Sequence, residues 1–277
     1  MTRLEREAAA LAALGSPARL DVFRLLARHA PHAVPAGKIA EALGRRPNTL
    51  SVQVAALVRA GLVEGRREGK SILYRVAPER LAELMSWLSE DCCGGRPETC
   101  APDAAPAVFP APAPRRTAPL VLFLCRTNGA RSILAEAMVN QRAGGKLRAA
   151  SAGVEPAAAL DPETVEILSR MGADPADYAP KSVQSLGGEG GAAPAFVLTL
   201  CDAAANADLH VSGGRPYRSH WPIPDPAGVR DAAWRRDAFR QAADEISTRV
   251  NALLALDLGA LAPPQFQDAI DRIGMTG

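Results

Sequence analysis

The chain has no apolar run approaching the roughly 18–20 residues that a membrane span requires. Its first residues, Met1-Thr-Arg-Leu-Glu-Arg-Glu7, carry acids where a signal peptide would not. Together these point to a soluble, cytoplasmic protein with no membrane partner. Aromatics are few, at 4% of residues, although 48% of the chain is hydrophobic, which is a globular composition. Cysteine is scarce as well, with five in all. An odd count without a signal peptide argues against a disulfide framework and for metal or thiol chemistry.

What is present is unevenly spread. The length of 277 residues suits two domains. The formal charge of +2 conceals 14 Lys/Arg against 8 Asp/Glu over residues 1–89, and 17 against 19 over residues 102–277. A basic front suggests nucleic acid, and a near-neutral back suggests a small-molecule enzyme.

The most informative stretch is Val121-Leu-Phe-Leu-Cys125-Arg126-Thr127-Asn128-Gly129-Ala130-Arg131-Ser132. It reads as an apolar strand ending on a cysteine, a five-residue loop, then Arg-Ser opening a helix. The amides of residues 126–132, the helix dipole and the Arg131 fork would form an oxyanion cradle. That field would also hold Cys125 as a thiolate nucleophile.

In chain order, helices are expected over about 3–14, 17–30, 36–43 and 47–60. Leu4, Ala8, Leu11 and Leu14 provide the stripe of the first, and Leu50, Val54 and Leu57 the inward face of the fourth. Two short helices around a glycine-containing turn form a helix-turn-helix pattern. Asn48, Thr49, Ser51 and Gln53 on the second of them are candidate DNA contacts. A β-hairpin follows around Glu68-Gly69, with Arg66, Arg67 and Lys70 near its tip for phosphate contact, then a helix over about 78–90. The Leu11–Leu20 segment, the Asn48–Val63 helix and the Arg-Arg-Glu-Gly-Lys hairpin resemble the ArsR family of winged-helix metalloregulatory repressors. The resemblance covers about residues 4–90. It implies a homodimer formed through the first and last helices, bound to a double-stranded operator.

Cys92, Cys93 and Cys100 lie on a glycine-rich segment directly after that helix. Three close thiolates suit As(III) or Sb(III), which take three sulfurs, whereas Zn(II) normally adds a fourth ligand; no histidine lies nearby in sequence. The segment looks like the C-terminal As(III) site of one ArsR branch. The expected layout is a winged-helix domain over 1–91, a sensing segment over 92–100, a Pro/Ala linker over 101–117, an α/β domain over 118–257 and a C-terminal tail over 258–277.

The α/β domain alternates strands near 119–125, 147–151 and 195–200 with helices near 132–143, 161–172 and 232–254, implying a parallel sheet. Cys125-x5-Arg131-Ser132, Ser151-Ala-Gly153, Lys181-Ser182, Leu198-Thr-Leu-Cys201 and His220-Trp-Pro-Ile-Pro-Asp225-Pro226 resemble the low-molecular-weight tyrosine phosphatase superfamily. The thioredoxin-type arsenate reductases are the best match within it. The resemblance implies Cys125 as nucleophile, Arg131 with the loop amides as clamp, Asn128 and Ser132 as loop organisers, Asp225 as general acid and Cys201 as resolving thiol. Family phosphatases typically place an aromatic after Asp-Pro; this chain has Ala227-Gly228. The reductases keep a third cysteine seven or eight residues beyond the resolving one, where this chain has Asp208 and Leu209.

These features predict an arsenic-responsive repressor fused to an arsenate reductase. No tightly bound cofactor is expected; the reductant is an external thiol donor, namely thioredoxin, glutaredoxin or a small thiol. Two alternatives stay open. The second domain could hydrolyse phosphoesters, or it could bind oxyanion purely as a regulatory input.

Overall fold

The computed structural model describes residues 2–88, 118–187, 193–207, 216–258 and 263–276. It forms two compact units, residues 1–113 and 114–277. Cys92, Cys93, Cys100, the expected linker, Asp208 and Leu209 lie outside the described residues.

The N-terminal unit contains α1 (Arg3–Leu14), α2 (Pro17–Arg28), β1 (Val34–Pro35), α3 (Ala36–Ala42), α4 (Pro47–Arg59), β2 (Val63–Glu68), β3 (Ser71–Val76) and α5 (Pro78–Trp87). Prolines at the first helical position start α2, α4 and α5, where a missing N–H costs nothing. Leu25, Leu26, Ile39, Leu50, Val54, Leu57 and Leu84 build its core. In the wing, Glu68 pairs with Ser71 across a two-residue turn, and Gly69 takes a φ of 57° that side chains resist. β1 adds antiparallel to β3 as a third strand.

The expected α1 stripe is divided: Leu4, Ala8 and Leu11 face solvent, while Leu14 packs against the core. Leu4 is 64% and Leu11 39% exposed, while Glu7, Ala10 and Ala13 are buried. Glu7 reaches the core because Arg80 and Arg6 meet it there, at 2.7 and 3.0 Å. Burial alone would raise its carboxyl, but hydrogen bonds and charge from Arg80 and Arg6 hold it below the usual carboxylate value.

The C-terminal unit contains β4 (Leu120–Cys125), α6 (Arg131–Arg142), β5 (Arg148–Gly153), α7 (Pro162–Arg170), β6 (Phe196–Thr199), α8 (Asp202–Asn206), β7 (Tyr217–His220), α9 (Ala232–Leu254) and α10 (Pro263–Met275). The four strands run in the order β5-β4-β6-β7, all parallel. Val121 and Phe123 pack on one face with residues of α6, α9 and α10. Leu122 and Leu124 pack on the other with Val183 and Ala204.

The stretch expected to be a C-terminal tail instead carries α10. Phe266 packs against Phe196 and Tyr217, each 5.2 Å away between ring centroids, and Trp221 Nε1 donates to the Ile270 carbonyl at 3.0 Å. β7 likewise extends the sheet by one strand beyond the expected three.

Candidate active site

Every strand of a parallel sheet ends on the same edge, and in open α/β folds that edge carries the site. Here it gathers Cys125 from β4, Gly153 from β5, Cys201 just after β6, and Asp225 five residues past β7.

Cys125 is buried, with Sγ 3.0 Å from Ser132 Oγ and accepting the Asn128 amide at 3.2 Å. The loop backbone is fixed from its flank. The carbonyls of Cys125, Arg126, Thr127 and Gly129 accept from the amides of Val154, Glu155, Ala157 and Asp161. Gly153 lets this strap approach, since a Cβ there would lie 2.8 Å from the Arg126 carbonyl oxygen and 3.0 Å from the Asn128 nitrogen.

Asn128 holds the loop from below. Its φ of 51° lies in the left-handed region, and its side chain is fully buried. Nδ2 donates to Ser132 Oγ at 2.8 Å and to Ser151 Oγ at 2.7 Å, while Oδ1 accepts the Lys181 amide at 2.7 Å. Ser151 donates onward to Glu136 at 2.5 Å, and Lys181 Nζ sits 3.5 Å from the same carboxylate. The buried Glu136 charge thereby gains a cation, which a charge in an apolar interior needs. Sequence reasoning misses Glu136; it lies four residues after Ser132 on α6, one turn further along the same helix face.

Arg131 is buried at the start of α6. Its Nη1 donates to the Ile223 carbonyl at 2.9 Å, and its Nη2 lies 3.0 Å from Asp225 Oδ2. A guanidinium and a carboxylate thus face each other at the sheet edge where Cys125 ends its strand. Asp225 is about half exposed, and its Oδ1 also accepts the Ala227 amide at 3.2 Å.

Cys201 follows Leu200, whose amide donates to the Leu124 carbonyl at 2.7 Å, so register brings it beside Cys125. Burial pushes its thiol up. The Ala204 amide, Arg131 and the Arg126 amide pull the other way, and the neighbouring Cys125 adds to the rise. Arg126 is exposed and pairs with Glu155 at 2.8 Å, which raises its guanidinium.

In the N-terminal unit Asn48, Thr49 and Ser51 are exposed on α4, and Arg66, Arg67 and Lys70 on the wing. Gln53 differs from its expected exposed position: it is partly buried and accepts from Arg45 Nη1 at 2.6 Å. Arg66 pairs with Glu68 at 2.8 Å.

The sheet order and the cysteine-to-arginine loop define a phosphatase-type α/β enzyme domain behind a winged helix-turn-helix. Residues 120–261 match the family described as low molecular weight phosphotyrosine protein phosphatase, and the chain belongs to that family. Residues 14–66 match a helix-turn-helix domain family, of ArsR type. The arsenate reductase of Bacillus subtilis is 30% identical over 136 residues, covering 47% of this chain and 91% of that protein. The biofilm growth-associated repressor of Agrobacterium fabrum is 37% identical over 83 residues, covering 30% of this chain and 68% of that protein. A solved arsenate reductase from Archaeoglobus fulgidus is 29% identical, covering 49% of this chain and 99% of that one, with a TM-score of 0.39.

Proposed function

We propose that this chain is an arsenic-responsive transcriptional repressor fused to an arsenate reductase that generates the ligand its own sensor detects. The observation that carries the enzymatic half is the arrangement around Cys125: a buried sulfur bonded by the Asn128 amide and Ser132, with Arg131 paired to Asp225 and Cys201 alongside.

In this reading arsenate sits on the amides of residues 126–132 and the Arg131 fork. Cys125 Sγ bonds to As(V), and a hydroxide leaves as water with a proton from Asp225. Cys201 then attacks Cys125 Sγ. The S–As electron pair stays on arsenic, so As(V) becomes As(III) while the two thiols become a disulfide. An external thiol donor (thioredoxin, glutaredoxin or a small thiol) reduces that disulfide. Arsenate is a compact phosphate mimic and needs no aromatic wall, consistent with Ala227-Gly228 after Asp225-Pro226.

The regulatory half rests on the exposed polar face of α4, the basic wing and the three cysteines at 92, 93 and 100. The exposed Leu4 and Leu11 on α1 support pairing of two copies through that helix. As(III) held by Cys92, Cys93 and Cys100 would release the operator.

An arsenate reductase assay with a panel of thiol donors, run on wild type, Cys125→Ser and Cys201→Ser, tests the enzyme. Both variants should lose turnover, with Cys201→Ser still able to form the first adduct. Hydrolysis of p-nitrophenyl phosphate with no arsenate turnover under any donor would defeat the assignment. For the sensor, As(III) should release wild type from its operator but not a variant with Ser at all three of Cys92, Cys93 and Cys100. Equal release would remove the sensing role.

A further inference from the structure

We propose that Arg235 is the positioning residue of the acid loop, bracing the turn beside Asp225 against the strap that holds the Cys125 loop. The proposal rests on the reading of Asp225 as general acid. Asp225 lies on a short 3-10 turn, Pro226–Gly228, whose own closing bonds are long: Gly228 N to the Asp225 carbonyl and Val229 N to the Pro226 carbonyl, both at 3.3 Å. A half-exposed acid on a weakly closed turn needs an external hold to keep its carboxyl in place.

Arg235 supplies that hold. It lies in the first turn of α9, whose start is fixed by the Asp231 side chain accepting the amides of Ala233 and Trp234. One arm of its guanidinium, Nη1, donates to two carbonyls of the turn and its end, Ala227 within it at 2.8 Å and Val229 just after it at 3.2 Å. The other arm, Nη2, is ion-paired with the Asp161 carboxylate. The flat cation also lies over the Phe239 ring, 5.2 Å from its centroid, which fixes its plane.

Asp161 is not a passive partner. Its amide donates to the Gly129 carbonyl at 3.1 Å, within the thiolate loop, and its side chain caps α7. A continuous path therefore runs from Gly129 through Asp161 and Arg235 to the Ala227 and Val229 carbonyls of the turn beside the acid. The guanidinium reaches the two carbonyls with Nη1 and the carboxylate with Nη2, whereas a lysine would have to serve all three from a single nitrogen, so it is a poor substitute. The groups facing Asp225 itself are Arg131 and Arg126, neither of which holds the turn's backbone.

The test follows single-turnover, arsenate-dependent loss of protein thiols in the full chain. The variants are Asp225→Asn, Arg235→Ala, Arg235→Lys, Asp161→Asn and the double Asp225→Asn/Arg235→Ala. Misplacing an acid by about 1 Å can cost on the order of 100-fold. Arg235→Ala should therefore slow the saturating single-turnover rate by about 10- to 100-fold with the half-saturating arsenate concentration changed less than about threefold, and Arg235→Lys should not restore it. The decisive readout is the double variant. If Arg235 acts through Asp225, the double should be no slower than Asp225→Asn alone; a general structural role would multiply the two losses. Asp161→Asn keeps the helix cap but removes the charge, and should reproduce a smaller part of the loss even if Arg235→Ala folds poorly. Multiplicative losses, or Arg235→Ala and Asp161→Asn both near the wild-type rate, would overturn the brace. Asp225→Asn at the wild-type rate would instead overturn the acid assignment beneath it.

Discussion

Replacing Asn128 by alanine removes three hydrogen bonds that no neighbour can remake. The Lys181 amide loses its acceptor, and Ser132 and Ser151 lose a shared donor. A buried backbone donor left unpaired costs about 1–3 kcal/mol, and the two hydroxyls together lose on the order of 1 kcal/mol more. Alanine must also hold the left-handed φ of 51°, a conformation that costs an ordinary residue about 1–2 kcal/mol and that asparagine tolerates. The total is about 3–6 kcal/mol, which for a unit of this size lowers its Tm by roughly 10–20 °C. Asn128→Gly loses the same bonds but not the backbone fit, so it should melt a few degrees above Asn128→Ala. Thermal unfolding of the full chain, following the transition of the C-terminal unit, measures both. Asn128→Ala within about 2 °C of wild type would refute the assignment of Asn128 as the loop's main support, because stability of that order moves Tm visibly. Asn128→Gly melting below Asn128→Ala would refute the backbone part alone.

Gly153→Ala forces a Cβ against the backbone of Arg126, Thr127 and Asn128, none of which is a side chain able to swing away. Overpacking of this kind costs about 1–3 kcal/mol, and the displaced loop should lower kcat/KM of the oxyanion reaction by more than the change in Tm alone would suggest; a variant with wild-type kcat/KM would contradict the close approach. Lys181→Met strips the cation from Glu136 and should destabilise the C-terminal unit, whereas Lys181→Met with Glu136→Gln should recover part of the loss, as a double-mutant cycle on Tm would report. Because burial raises the Cys201 thiol, alkylation of Cys201 in Cys125→Ser should need a higher pH than alkylation of an unfolded cysteine. The protonated form is the favoured one in the fold, so its contribution to stability is present below the unfolded thiol's range and lost as pH rises through the folded value. Glu7 runs the opposite way: its folded carboxyl is lowered, so its contribution is present above the unfolded carboxylate value and lost as pH falls through the folded one. Glu7→Gln should lower the Tm of the N-terminal unit by roughly 5 °C at neutral pH and flatten its acid limb.

Elements with strong local punctuation are legible in the amino-acid order itself. Proline starts mark α2 and α4, Gly61 closes α4, and α9 matches the expected span at both ends, because its 23 residues repeat the helical period several times. α10 escapes that reading although Phe266, Ala269, Ile270 and Ile273 repeat at helical spacing. Four apolar positions in an acidic, glutamine-containing segment read as a tail until the exposed edge of β7 gives them something to cover. β7 itself is too short to announce a strand, and two of its four residues are the buried polar Ser219 and His220. The buried Glu7 of α1 has a different cause. Periodicity ranks leucine above glutamate for the core, and the countercharges of Arg80 and Arg6 override that order.

The site divides along the same physical line. Residues whose chemistry is spelled by consecutive spacing, from Cys125 to Ser132, can be named from the chain alone. Residues whose role is to hold another residue cannot: Glu136 matters through Ser151 and Lys181, Asp161 through Gly129, and Arg235 through two carbonyls near Asp225. None of these carries reactive chemistry, so no motif singles them out, and their partners lie up to 74 positions away in sequence. That asymmetry makes a prediction of its own. In the proposed reading neither the cysteine loop nor its acid can be transplanted as a sequence, because Asn128 is held through Ser151 and Lys181, and the turn beside Asp225 through Arg235. Grafting residues 125–132 alone into another parallel-sheet scaffold should therefore give no arsenate-dependent loss of thiols; turnover should need at least Ser151, Gly153 and Lys181 beneath the loop, the Asp161–Arg235 pair with the acid loop, and Cys201.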